Sequence, residues 1–167
     1  MPLNNITNII FDWKGTLYNS ANKCLIEGTT ELLELLQNYN IPVHLIGKGG
    51  QDMCQEVRRL EVEKYFGTIL FVDEAKNIKH FVDLVNKINS KLTLVIGDRI
   101  QSELSVGKSL NTTTIWIQNG KFSDQVPRNE SEQPDFVVNN LIKLMALFSN
   151  SKLIRHYEAR SNPKTNY

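Results

Sequence analysis

Short apolar runs recur at fairly even intervals along the chain: NIIFD (8–12), VHLIG (43–47), TILFV (68–72), LTLVIGD (92–98) and TTIWI (113–117). Their apolarity is continuous rather than alternating, the pattern of strands covered on both faces. Between them lie amphipathic segments, TTELLELLQNYN (29–40), QDMCQEVRRLEVEKYF (51–66), NIKHFVDLVNKIN (77–89) and IQSELSVGKSL (100–110). Leu32, Leu33, Leu36 and Tyr39 fall at helical spacing, as do Phe81, Leu84, Val85 and Ile88. A β-α-β-α alternation predicts a three-layer α/β/α, Rossmann-like fold. Its sheet should have five or six mainly parallel strands joined by right-handed crossovers. In such sheets ligands bind at the carboxyl ends of the strands.

A chain of 167 residues can bury one sizeable core. A single domain over residues 1–157 is expected, closing with a short edge strand and a terminal helix in DFVVNNLIKLMALFS (135–149) and followed by a flexible tail, 158–167. The balance of 19 Lys+Arg against 18 Asp+Glu leaves a formal charge of +1. No global field therefore draws in nucleic acid or an anionic membrane, and any anion specificity has to be local. No apolar run approaches the roughly 20 residues that span a bilayer, and MPLNNITNIIFD lacks a basic segment followed by an apolar one. A cytoplasmic protein with no membrane partner is the expectation. Cys24 and Cys54 lack the spacing of a zinc site or a disulfide framework and read as ordinary thiols.

The chemistry concentrates where two runs end in aspartate, IIFD at Asp12 and LVIGD at Asp98. On one edge of a parallel sheet, neighbouring strands would bring these carboxylates to one site. That pairing suits Mg²⁺, a hard cation that takes a few carboxylates and completes its shell with water and substrate phosphate. A phosphate would also need backbone N–H groups and cations. Gly15-Thr16, Gly47-Lys48-Gly49-Gly50 and a lysine near the end of the third strand can supply them.

These motifs resemble those of the haloacid dehalogenase-like (HAD) hydrolase superfamily from about Asn8 to Ile117. That family's first strand ends in D-x-D-G-T, and DWKGTL keeps Asp12, Gly15, Thr16 and Leu17. The resemblance implies that Asp12 is a nucleophile forming an aspartyl-phosphate. VIGDRIQSELSVGKSL is similar to the metal motif, which puts Asp98 on Mg²⁺ and Glu103 in or near its shell, with the backbone carbonyl of Lys14 as a further ligand. The family's lysine falls in DEAKNIKHF, with Lys76 favoured for its place just before the helix and Lys79 the runner-up. Phosphate contacts are expected from Gly15, Thr16, Gly47 and Lys48.

Two departures set this chain apart. The family's second acid, which protonates the leaving group and activates water, is Lys14 here, and the Ser/Thr that ends the second strand is Gly47. An ammonium beside Asp12 and Asp98 is stabilised, so Lys14 is a poor proton donor. Losing a positioned acid/base costs roughly 10²–10⁴-fold in rate. The expectation is a weak or altered phosphohydrolase. The alternatives are a non-catalytic binding or regulatory protein, with Lys14 paired to Asp98 or Glu103 in the metal's place, and a C–halogen or C–P cleaving enzyme, since DWKGT resembles the phosphonate-cleaving DWAGT. Only a hairpin-like flap and one helix fit between Thr16 and Gly47, and only a helix and a strand between Gly47 and Lys76. The molecule should therefore be capless. It would act on a phosphorylated small molecule or macromolecule, or borrow a second copy of itself as a lid. On this reading, threonine at position 47 should add to the effect of aspartate at position 14.

Overall fold

All the apolar runs become neighbours in one sheet. The structure, a computed structural model, describes residues 6–150; of Asn150 only the backbone is placed. In chain order the elements are β1 (Asn8–Phe11), a hairpin of β2 (Tyr18–Asn19) and β3 (Cys24–Leu25), α1 (Thr29–Asn38), β4 (Val43–Lys48) and α2 (Gln51–Arg59). There follow β5 (Thr68–Val72), α3 (Ile78–Phe81), β6 (Thr93–Gly97), α4 (Ser105–Ser109), β7 (Thr113–Ile117), β8 (Phe136–Val138) and α5 (Leu141–Asn150). The 6-stranded sheet runs β5-β4-β1-β6-β7-β8. Every neighbouring pair is parallel.

Strand alternation divides the core. Ile9, Phe11, Val43, Leu45, Leu94 and Ile96 face one side, with Leu32, Leu33 and Leu36 of α1, Met53 and Val57 of α2, and Leu141 and Leu144 of α5. Ile10, Ile46, Val95 and Trp116 face the other, with Phe81 of α3, Ile100, Leu104 and Val106. Burial on both faces accounts for the unbroken apolarity of the inner strands. TILFV of β5 is the exception, an edge strand only half-buried.

The helices are shorter than their spacing suggests. The segment expected as one helix over 77–89 is helical only over Ile78–Phe81, with a 3₁₀ turn at Val82–Leu84. Beyond it the Asn86 side-chain oxygen accepts the backbone N–H groups of Ile88 and Asn89, both at 2.9 Å. An asparagine that bonds its neighbours' amides offers the chain an alternative to the helix, and Ile88 is left 98% exposed. The segment over 51–66 stops at Arg59 because Glu61 is left-handed, with φ 58°. In the segment over 100–110, non-helical angles at Gln101 and Ser102 leave only Ser105–Ser109 regular. Cys24 and Cys54 are free thiols. Among the described residues no helix is long and apolar enough to cross a membrane. The expected boundary at 157 and the tail 158–167 lie outside the described residues.

Candidate active site

The chain builds β1, β4 and β5 to one side and β6, β7 and β8 to the other, so the order reverses between β1 and β6. A crevice opens at such a switch point beyond the strand ends. Asp12 follows β1 and Asp98 follows β6, and both enter it. Asp12 is anchored by its own N–H, which donates to the Ile96 carbonyl at 2.9 Å. The Trp13 carbonyl then accepts the N–H groups of Thr16, Leu17 and Tyr18, turning the chain back at once. Gly15 sits in this turn at φ 80°, and a Cβ there would lie 2.8 Å from the Asp98 Cγ. The turn thus demands glycine twice, for its left-handed backbone and for the approach of the Asp98 carboxylate.

Asp98 is held by its carbonyl, which accepts the Trp116 indole N–H at 3.0 Å. Glu103 reaches back so that its Oε1 accepts the Arg99 backbone N–H at 2.9 Å. Asp12, Asp98 and Glu103 are 5%, 3% and 1% exposed. Each offers an oxygen within 4.8 Å of the others. Lys76 joins them, donating to Asp12 Oδ1 and, at 3.1 Å, to Glu103 Oε2. Thr16 Oγ1 donates to the other Asp12 oxygen at 3.3 Å.

These contacts leave the cluster one cation for three acids. Burial raises Asp12 to about 6 against the pull of Lys76. Burial, with the charges of Asp12 and Glu103, raises Asp98 to about 8. Burial opposes the Lys76 ammonium too, but Asp12 and Glu103 outweigh it and hold its pKa above the ordinary value. Asp98 Oδ1 is buried with no hydrogen-bond partner. An orphaned carboxylate oxygen among three hard anionic ligands is what a divalent cation such as Mg²⁺ requires, and the residues fit it.

This has a measurable consequence. Raised carboxyl pKa values mean that the folded state keeps protons that the unfolded chain has lost, so stability present at low pH is lost as pH rises through the folded values. In metal-free buffer the melting temperature should fall from about pH 4, where the unfolded carboxyls release their protons, up to about pH 8, most steeply below about 6 where both groups contribute. Mg²⁺ should raise it most at the alkaline end, where the carboxylates are free to ligate. A melting series over pH, with chelator or Mg²⁺, checks both; a flat profile unresponsive to Mg²⁺ would contradict them.

A cavity of about 1090 Å³ opens onto the cluster, lined by Asp12, Lys14, Gly15, Lys48, Lys76, Asp98 and Glu103 among others. Thr16 and Gly47, expected at the phosphate, do not line it. Thr16 is fully buried behind Asp12. Gly47 is sealed by aromatic packing, since a Cβ there would meet the Phe71 Cδ1 at 2.7 Å and the Trp13 Cβ at 2.9 Å. Gly49, two residues further on, lines the cavity wall. Lys14 forms no ion pair with Asp98 or Glu103 among the described residues. Its ammonium points towards Gly49, about 3.8 Å from where a Cβ would stand. Lys79 pairs instead with Glu74 on the surface at 2.7 Å, so Lys76 is the lysine at the cluster. Sequence reasoning missed Arg99, Lys121 and Phe122, which form the cavity's far lip. The basic-aromatic pair Lys121-Phe122 inside an otherwise polar loop was the available signal.

Residues 70–144 match the family model described as HAD-hydrolase-like. A glyceraldehyde 3-phosphate phosphatase from Methanopyrus kandleri is 24% identical over 97 residues, 54% of this chain and 42% of that protein. The match therefore spans less than half of that relative's length. A HAD-superfamily hydrolase from Ehrlichia chaffeensis superposes with a TM-score of 0.67 at 15% identity, covering 87% of this chain and 97% of the other. The magnesium-bound HAD-hydrolase YfnB from Bacillus subtilis superposes with a TM-score of 0.61 at 18% identity, over 75% of this chain and 56% of the other.

Proposed function

We propose that this chain, whose residues 70–144 match the HAD-hydrolase-like family model, is a capless HAD-like phosphohydrolase that forms an aspartyl-phosphate on Asp12 and hydrolyses it slowly. The observation that carries this reading is the convergence of Asp12, Asp98, Glu103 and Lys76 in one buried cluster at the sheet's switch point. Asp98, Glu103, Asp12 and the Lys14 backbone carbonyl would hold Mg²⁺, which when bound neutralises charge on the phosphoryl oxygens.

The Asp12 carboxylate attacks phosphorus, the P–O bond to the leaving alcohol breaks and the departing oxygen takes its proton from solvent; water then attacks the aspartyl-phosphate, releasing inorganic phosphate and restoring the carboxylate. Lys76, bonded to Asp12, orients the nucleophile and offsets the negative charge brought in with the phosphate. Gly15, Gly49, Lys14 and Lys48 line the space the phosphoryl oxygens would occupy. No carboxyl group stands at position 14 to donate the leaving group's proton or to activate water afterwards. Phosphorylation is therefore favoured for good leaving groups, and dephosphorylation is the slow step.

The test is incubation with an activated aryl phosphate and Mg²⁺, with intact-mass analysis after an acid quench. One phosphoryl group on Asp12, with slow release of phosphate, is expected. No adduct and no turnover would overturn the reading in favour of a binding protein on the same scaffold. The packing of Phe71 and Trp13 over Gly47, where a hydroxyl would otherwise hold the phosphate, is the observation that favours that second reading.

A further inference from the structure

We infer that Arg99, Lys121 and Phe122 form a second anion subsite, so that the substrate is a phosphate monoester carrying a further anionic oxyacid group, a carboxylate or another phosphate. The inference rests on the phosphohydrolase reading for which group is transferred, and it deepens that reading on the far side of the cavity.

The cavity is much larger than a phosphoryl group and has cations at both ends. Lys14 and Lys48 stand on the side of the phosphate loop, Arg99 and Lys121 on the opposite lip. Lys76 is consumed by Asp12 and Glu103. Among the described residues none of the other four cations has a carboxylate oxygen within salt-bridge distance. Arg99 is instead held by an aromatic ring, its guanidinium carbon 4.4 Å from the Phe122 centroid, and the Lys121 ammonium is 5.5 Å from the same ring. An aromatic face steadies a guanidinium without using its hydrogen-bonding fork, which stays available for a planar oxyacid. Arg99 Nε is itself enclosed without a partner.

The lip is also fixed in place relative to the acids. Arg99 directly follows Asp98, and its backbone N–H is bound by Glu103. The loop bearing Phe122 is tied to the next two residues, because the Gln125 side-chain oxygen accepts the Ile100 N–H at 2.8 Å and the Gln101 amide donates to the Val126 carbonyl at 3.1 Å. Asn119 closes the turn before it by accepting the Gly120 N–H at 2.7 Å. Apart from the clustered Asp12, Asp98 and Glu103, of which Asp98 directly precedes Arg99, the acids on the wall are Glu27 and Asp73, on the flap side and in the loop after β5. A subsite set at a fixed span from the nucleophile predicts affinity that depends on the distance between two anions.

The experiment measures binding by thermal shift and by competition with aryl phosphate turnover, in Mg²⁺ buffer. The probes are inorganic phosphate, alkyl monophosphates, and alkane bisphosphates and phosphoryloxy carboxylates of matched and varied chain length. At one favoured length a bifunctional ligand should bind at least about tenfold tighter than the alkyl monophosphate of equal length, the size of a close charge pair. That ratio should collapse in Arg99→Gln and in Lys121→Gln, and recover in part in Arg99→Lys. Lys121 is exposed, so its variant tests the subsite even if the Arg99 variants fold poorly. Which class of bifunctional ligand shows the larger ratio decides between carboxylate and phosphate as the second group. If phosphate binds but no bifunctional ligand gains, the subsite is refuted while the phosphate site stands. If bifunctional ligands gain but nothing is turned over, the subsite stands and the hydrolytic reading falls. If no anion binds, both fall.

Discussion

Asp12→Asn is expected to abolish covalent phosphorylation and to lower turnover of an activated aryl phosphate by roughly 10³-fold or more, because an amide oxygen is a poor nucleophile. The variant should remain folded. Burial already raises the Asp12 carboxyl to about 6, so its charge is costly in the folded state, and asparagine has nearly the same shape without that charge. Its amide oxygen can still accept from Lys76, which keeps Glu103 as counter-ion. Mass analysis should show no adduct on the variant under conditions that label the wild type. An unchanged rate in purified Asp12→Asn with a normal melting temperature would rule out the covalent route.

The second large effect is a gain. Lys14→Asp should raise turnover by roughly 10²-fold, since on the proposed mechanism it supplies the carboxyl that protonates the leaving group and later activates water. The structure tolerates this substitution locally: Lys14 is only half-buried and has no ion pair to lose among the described residues. Phosphoenzyme seen in the wild type should disappear from the steady state as its hydrolysis accelerates. If Lys14→Asp stays at the wild-type rate while folded, proton transfer is not what limits this site.

Gly47→Thr, which the sequence alone suggests as a companion change, has the opposite prospect. Its Cβ would enter the space of the Phe71 ring and the Trp13 Cβ, and overpacking of this kind costs typically about 1–3 kcal/mol. The single variant should melt lower and gain no activity, as parallel melting and rate measurements would show. A hydroxyl at position 47 can help only if Phe71 is made smaller as well.

The strands were legible because each is a continuous apolar run, and the convergence of Asp12 with Asp98 followed from strand ends on one sheet edge. Lys76 was legible as the favoured of two lysines, for its place just before the helix. Its selection depends on the path of residues 73–77, for which local periodicity carries no signal. The helices were overread for a related reason. Val85 and Ile88 have helical spacing, but Asn86 diverts the backbone, and a side chain that competes for amides does not alter the apolar pattern. Gly47 shows the deepest limit. As sequence it is a missing hydroxyl, whereas in space it is the contact point of two aromatic residues far apart in the chain, Trp13 and Phe71. The lip of Arg99, Lys121 and Phe122 was hidden likewise, because residues from two separate loops compose it.

The chain contains only two tryptophans, and each is attached to one of the site aspartates. Trp13 follows Asp12 and is stacked on Tyr18 at 5.1 Å with Phe71 edge-on at 6.3 Å. Trp116 holds the Asp98 carbonyl through its indole N–H. Intrinsic fluorescence of this protein is thus a built-in optical reporter divided between the two halves of the site, with the Trp13 indole N–H enclosed and unpartnered and that of Trp116 bonded. Single-tryptophan variants, Trp116→Phe and Trp13→Phe, would let ion loading at Asp98 and phosphorylation at Asp12 be followed as separate emission signals in one cuvette.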